Sequence, residues 1–200
     1  PALTVNAGAG DGAAATLTED GSTPRAGMLA SDTLSLADID DRDAVSVSVT
    51  DLTVTGDAGA VSIAALEAMM SVPSAPVIGA GATDGQLTWA FDSGSEGFDH
   101  LNAGDALVLA YELTADDGEG GTSVQTVAIT INGANDAAVI GGTATGTVTE
   151  DQALAGNEMR AGGSLTISDA DAGEAAFQPR AGGLGGYGAF GVGGGGGGGC

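Results

Sequence analysis

Asp38 and Asp40, one residue apart, offer two carboxylates that a bend in the chain can turn toward one centre. The same pair stands again 131 residues later as Asp169 and Asp171. Oxygen pairs of this kind suit a hard cation, since calcium takes about six to eight oxygen ligands at roughly 2.3–2.6 Å. More acids gather in short clusters at the ends of apolar runs: Glu19 with Asp20, Asp41 with Asp43, Asp116 with Asp117 and Glu119, and Asn135 with Asp136. The run that begins at Asp38 is not an EF-hand. Its fifth position is Arg42, its sixth is Asp43 where glycine must turn the loop, and its twelfth is Val49 where glutamate must close the shell.

Other chemistry finds no constellation. His100 is the one histidine, without a thiol, serine or second histidine in a recognisable arrangement, so a loop or surface role is expected of it. Carboxylates suffice in number for a glycosidase pair, yet nothing marks one of them for an apolar pocket that would raise its pKa. The chain therefore reads as no enzyme. Gly182-Gly183-Leu184-Gly185-Gly186-Tyr187 has the glycines of a nonapeptide calcium repeat but lacks its aspartate, and reads as linker.

Charge narrows the partners. With 27 acidic residues, 4 basic ones and a formal charge of −23, the chain should be repelled by nucleic acid and by anionic membrane surfaces, and cations are its natural ligands. No apolar run is long enough to span a bilayer, so no membrane insertion is expected. Cys200 follows the run Gly193 to Gly199 in the manner of a flexible linker or tag, and as the single cysteine it cannot form an internal disulfide. Opening at Pro1 with no basic, apolar signal region, the chain reads as a segment excised from a longer protein.

The elements that must position these acids are mostly strands. Residues 44–55 alternate apolar and polar, with Val45, Val47 and Val49 on one face. The same period appears in Leu87, Trp89 and Phe91, in Leu107, Leu109, Tyr111 and Leu113, and in Val127, Ile129 and Ile131. Trp89 and Tyr111 fall on the apolar phase and are expected in the core rather than on a sugar-binding platform. Residues 62–70 are the exception: Ser62 suits an N-cap, and Ile63, Leu66 and Met70 would share one face of a short crossover helix. Many short strands, glycine-rich turns and one helix predict an all-β, antiparallel Greek-key sandwich. Thr18-Glu19-Asp20 also returns as Thr149-Glu150-Asp151 at the 131-residue offset, so the chain is a tandem repeat. A complete repeat is expected over 1–137, a truncated second one over 138–192, and a glycine-rich tail over 193–200.

In order along the chain stand Gly85-Gln86-Leu87-Thr88-Trp89, Leu107-Val108-Leu109-Ala110-Tyr111, Asp116-Asp117-Gly118 and Ile129-Thr130-Ile131-Asn132-Gly133-Ala134-Asn135-Asp136-Ala137. This pattern resembles the VCBS repeat, a bacterial cadherin-like module, over about residues 1–192. Pro1 matches the proline that closes the Asn-Asp-Ala-Pro linker of a preceding repeat, whereas Ala138 stands where the next linker proline is usual. What the resemblance implies is a cadherin/Ig-like sandwich in a large RTX-type adhesin, exported by type I secretion to the extracellular bacterial surface, with calcium stiffening the rod. By the same resemblance Glu19, Asp38, Asp40 and Asp116 are ligands of one module. Asn135, Asp136, Glu150, Asp169 and Asp171 are then ligands of its junction with the next. The expected function is that of a spacer in cell adhesion and biofilm attachment, its partners being calcium and neighbouring repeats. The alternatives are a module binding a cell-surface receptor or carbohydrate through residues 92–105, and a subunit of a self-assembling filament.

Overall fold

A computed structural model of the chain describes residues 1–4, 10–19, 27–149, 154–155, 158–159, 161–178, 180–183 and 189–192. The chain divides into two compact units, Pro1–Asn135 and Asp136–Cys200. Strands of the first are β1 (Ala2–Thr4), β2 (Ala14–Thr18), β3 (Leu29–Ala37), β4 (Ser46–Thr55), β5 (Met70–Ser71), β6 (Asp84–Asp92), β7 (Ala106–Asp116) and β8 (Thr122–Asn132). One helix, α1 (Ile63–Glu67), lies between β4 and β5. The second unit carries β9 (Val139–Gly142), β10 (Leu154–Ala155), β11 (Glu158–Met159), β12 (Leu165–Ser168), β13 (Arg180–Gly183) and β14 (Ala189–Val192). The fold is all-β, and among the described residues no helix is long and apolar enough to cross a membrane.

Two four-stranded sheets build the first unit, in the orders β1-β3-β6-β5 and β2-β8-β7-β4. One pairing departs from the antiparallel expectation: β2 runs parallel to β8, from Ala14 opposite Ala128 to Thr18 opposite Asn132. The second sheet is therefore mixed. Alternation assigns a strand's faces but is the same whichever way its neighbour runs, so sequence period could not have distinguished the two.

Inward-phase side chains of both sheets meet in a single core. Leu34 and Leu36 of β3, Leu87, Trp89 and Phe91 of β6, Leu107, Leu109, Tyr111 and Leu113 of β7, and Val127, Ile129 and Ile131 of β8 are all buried in it. Each such side chain contributes about 1.5–3 kcal/mol on burial. In β4 the phase changes midway, with Val47 buried but Leu52 and Val54 taking the inward side after a register shift between Val49 and Asp51. Thr50 is the extra residue of that bulge.

Ser62 caps the helix, its Oγ accepting from the Ala65 N–H at 3.3 Å. The helix ends sooner than the 62–70 reading: Leu66 is buried, Ile63 is 52% exposed, and Met70 already belongs to β5. A short helix is held instead by its neighbour, since the Tyr111 hydroxyl donates to the Leu66 carbonyl at 2.7 Å. Burial, with the charge of Glu67 adding to it, pushes the Tyr111 pKa well above its ordinary value, so the phenol stays protonated and keeps donating.

In the second unit β12 pairs antiparallel with β9, Ser168 opposite Val139. In the first, β3 pairs with β1 with Ala37 opposite Ala2. Ser168 follows Ala37 by the repeat offset of 131, while Val139 follows Ala2 by 137. By this register Ala138 occupies the position of Pro1. The two copies thus start on the same strand pair and differ by six residues between it and the Thr-Glu-Asp motif.

Candidate metal centre

Just past the end of β3, the Asp38 N–H donates to the Thr83 carbonyl at 2.8 Å, and its side chain is buried. Asp38 Oδ1 accepts from the Asp40 N–H at 3.2 Å, closing a turn. Asp38 Oδ2 is buried and takes no hydrogen bond. At the tip of the β7–β8 hairpin, Asp117 Oδ1 accepts from the Glu119 N–H at 2.8 Å and the Gly121 N–H at 2.9 Å. Gly121 makes room for this carboxylate, because a Cβ there would collide with Asp117 Oδ2. Oxygens of Asp38, Asp117 and Asp43 all lie within 4.8 Å of one another.

The same phase that fills the core selects these three residues. Asp38 continues the inward series Leu34, Leu36; Asp117 continues Leu113, Ala115; and Asp43 precedes Val45 and Val47. Three carboxylates therefore converge where strands from both sheets run out at one end of the core. The Pro1 nitrogen lies 3.4 Å from Asp38 Oδ2 and 4.0 Å from Asp117 Oδ2. As a terminal ammonium it is a cation at the point the carboxylates face; with a residue before it, it would carry neither charge nor proton.

Crowding of like charge is visible in the protonation of the group. Desolvation first, then the charges of Asp40, Asp117, Asp38 and Glu119, raise the Asp43 pKa above its ordinary 3.8. The Glu119 backbone N–H foremost, with help from Gly121, the Pro1 ammonium and Gly120, holds Asp117 below that value against some desolvation. Asp43 thus contributes stability that is present below 3.8 and lost as pH rises through its raised folded pKa. Asp117 contributes stability present above 3.8 and lost as pH falls through its lowered one. A carboxyl-carbon NMR titration in EDTA should find Asp43 protonating before Asp117 as pH falls; the reverse order would show that the two carboxylates do not share this field.

The residues assigned together by resemblance are separated. Asp40 and Asp116 are exposed and outside the group of three, with Asp116 Oδ1 accepting from the Gly118 N–H at 2.8 Å. Glu19 sits beyond β2 beside the far end of β8, its N–H donating to the Asn132 carbonyl at 3.0 Å and its Oε1 accepting from the Ala134 N–H at 2.6 Å. β8 is eleven residues long, which puts Glu19 about 30 Å from the Asp117 end. Asn135 is exposed at the close of the first unit.

Within the second unit, the Asp136 N–H donates to Asp171 Oδ2 at 2.7 Å, and the Asp171 N–H to Asp169 Oδ1 at 3.1 Å. That last bond repeats the Asp40-to-Asp38 turn at the same offset. Asp171 Oδ1 is buried without a hydrogen bond. Glu150 lies outside the described residues. His100 approaches the Asp57 carbonyl at 3.1 Å through Nε2 and stacks obliquely near Phe98. Residues 92–105 are tied internally, Ser93 Oγ donating to the Glu96 carbonyl and accepting from the Met28 N–H.

Compared with known proteins, the chain matches no family model and no curated protein.

Proposed function

We propose that the chain is a segment of a calcium-stiffened rod: cadherin-like VCBS repeats, each a Greek-key sandwich, acting as a spacer in a long extracellular bacterial adhesin. The observation that carries this reading is the convergence of Asp38, Asp43 and Asp117 at one end of the core, within a motif whose strand pair and Asp-x-Asp turn recur in the second unit. An all-oxygen donor set without histidine or thiol favours calcium or magnesium over transition metals. Calcium accepts the irregular, carboxylate-rich arrangement more readily than magnesium, which demands a near-ideal octahedron. Three protein carboxylates would be completed by waters or by chain carbonyls. A bound ion would offset the repulsion felt by Asp43 and fix the strand ends relative to one another, which is the local meaning of stiffness. Nothing in this reading requires catalysis, and a surface-exported location follows from it, because calcium is abundant outside cells.

Thermal unfolding in EDTA and then in millimolar calcium, with magnesium as the comparison, tests the proposal. A calcium-specific rise in the midpoint is expected, because an ion that binds only the folded state must stabilise it. An unchanged midpoint would sink the calcium reading.

A further inference from the structure

In the first unit β3 is paired on both edges, with β1 on one side and with β6 on the other over nine residues, from Leu29 opposite Asp92 to Ala37 opposite Asp84. Its counterpart β12 has β9 on one side, and among the described residues nothing pairs with its other edge. Side chains register the difference. Leu34 is 0% exposed, whereas Leu165, its equivalent at the repeat offset, is 38% exposed, and Val139 and Ile140 beside it are 65% and 61% exposed. An open strand edge with apolar residues beside it is a template for another strand.

We propose that the free edge of β12 accepts one extended segment of the β6 kind, supplied by a further repeat of this family and running antiparallel. The first unit specifies the chemistry of that segment. Opposite Leu34, Ser35 and Ala37 stand Leu87, Gln86 and Asp84, so Leu165, Thr166 and Ser168 would take the same three types. Leu87, Trp89 and Phe91 turn to the core side of β6, so the incoming segment needs large apolar residues at alternate positions. Backbone pairing supplies affinity and the alternate side chains supply selectivity. The β6 strand of a second copy of this chain is already paired with its own β3 and β5, which makes an unpaired β6-type segment the better donor.

The experiment uses the 200-residue chain in EDTA, so its outcome is independent of calcium. A fluorescent peptide with the sequence of Asp84–Asp92 is titrated by anisotropy, and hydrogen exchange locates the contact. Binding with new protection at 164–168 is expected, and a peptide carrying Leu87→Asp and Trp89→Asp should bind at least about tenfold more weakly. Leu165→Asp in the protein should weaken the native peptide similarly, while leaving first-unit protection unchanged. Equal binding of the altered peptide, protection at β3 instead of β12, or concentration-dependent dimerisation through β12 with no peptide binding would each overturn the proposal.

Discussion

Asp38→Asn is expected to abolish most of the stabilisation that calcium gives, whereas Asp116→Asn and Asp40→Asn should leave it nearly intact. At a calcium concentration about 100 times the dissociation constant, an ion bound only by the folded state adds about 2.7 kcal/mol. For a unit of this size that corresponds to a rise of roughly 10 °C in Tm. The asparagine at 38 retains an oxygen to accept the Asp40 N–H, so the turn survives and only the charged oxygen that faces Asp43 and Asp117 is lost. Asp117→Asn should act in the same direction. Asp43→Asn separates site from scaffold by sign: in EDTA it should stabilise, because it removes a carboxylate whose charged form its neighbours disfavour, yet in calcium it should lower the response. A residue added before Pro1 should tighten calcium binding, since it removes the ammonium 3.4 Å from Asp38 Oδ2. Differential scanning calorimetry of the five variants with and without calcium measures all of these. A calcium response that survives Asp38→Asn and disappears in Glu19→Gln would move the ion to the other end of the unit.

Local pattern carried the strands because burial on one face of a sheet writes a period of two into the sequence. Val127, Ile129 and Ile131 were legible in that way, and all three are buried. The direction of β2 was not legible, because period two is indifferent to it. Nor was the bulge at Thr50, although its trace was present: the apolar series changes from Val45, Val47, Val49 to Leu52, Val54, which a continuous strand cannot place on one face.

The acids were less legible for a similar reason. The spacing of Asp38 and Asp40 invites them to be read as partners, but successive residues of that spacing part company once a turn begins, and here Asp40 contributes its N–H rather than its carboxylate. Asp43 and Asp117 were visible as members of acidic clusters but not as the choice within them. The discriminating signal was phase. Leu113 and Ala115 are inward, so Asp117 continues the series and Asp116 does not. Which inward-phase acids then meet is decided by topology: β4 pairs with β7 so that Ser46 opposes Asp116, which brings Asp43 and Asp117 to the same end of the sheet, while β2 delivers Glu19 to the other. Such adjacency between distant segments has no local signature.

Trp89→Ala is expected to cost about 3–5 kcal/mol, a large part of the roughly 5–15 kcal/mol available to a domain. Trp89 is fully buried, and in a chain whose aromatic content is only 4% the surrounding Leu, Val and Ile cannot refill so large a volume. Its indole Nε1–H also donates to the Gly12 carbonyl at 2.9 Å, tying β6 of one sheet to the segment that leads into β2 of the other. Trp89→Phe isolates that second contribution: most of the volume stays, the donor goes, and a loss of about 1–2 kcal/mol is expected. Urea denaturation followed by far-ultraviolet circular dichroism measures both, since the fluorescent reporter is the residue removed. Trp89 opposes Asp32, six residues before Asp38 along β3 and its turn, or about 20 Å away. At that separation the phenylalanine variant and Asp38→Asn should be additive within about 0.5 kcal/mol. The calcium increment should therefore persist undiminished in Trp89→Phe, so that a weakened core still carries its full metal response. An increment that shrank in proportion to the core's stability would mean that the carboxylates are held by the packing as a whole rather than by their own turns and hairpin.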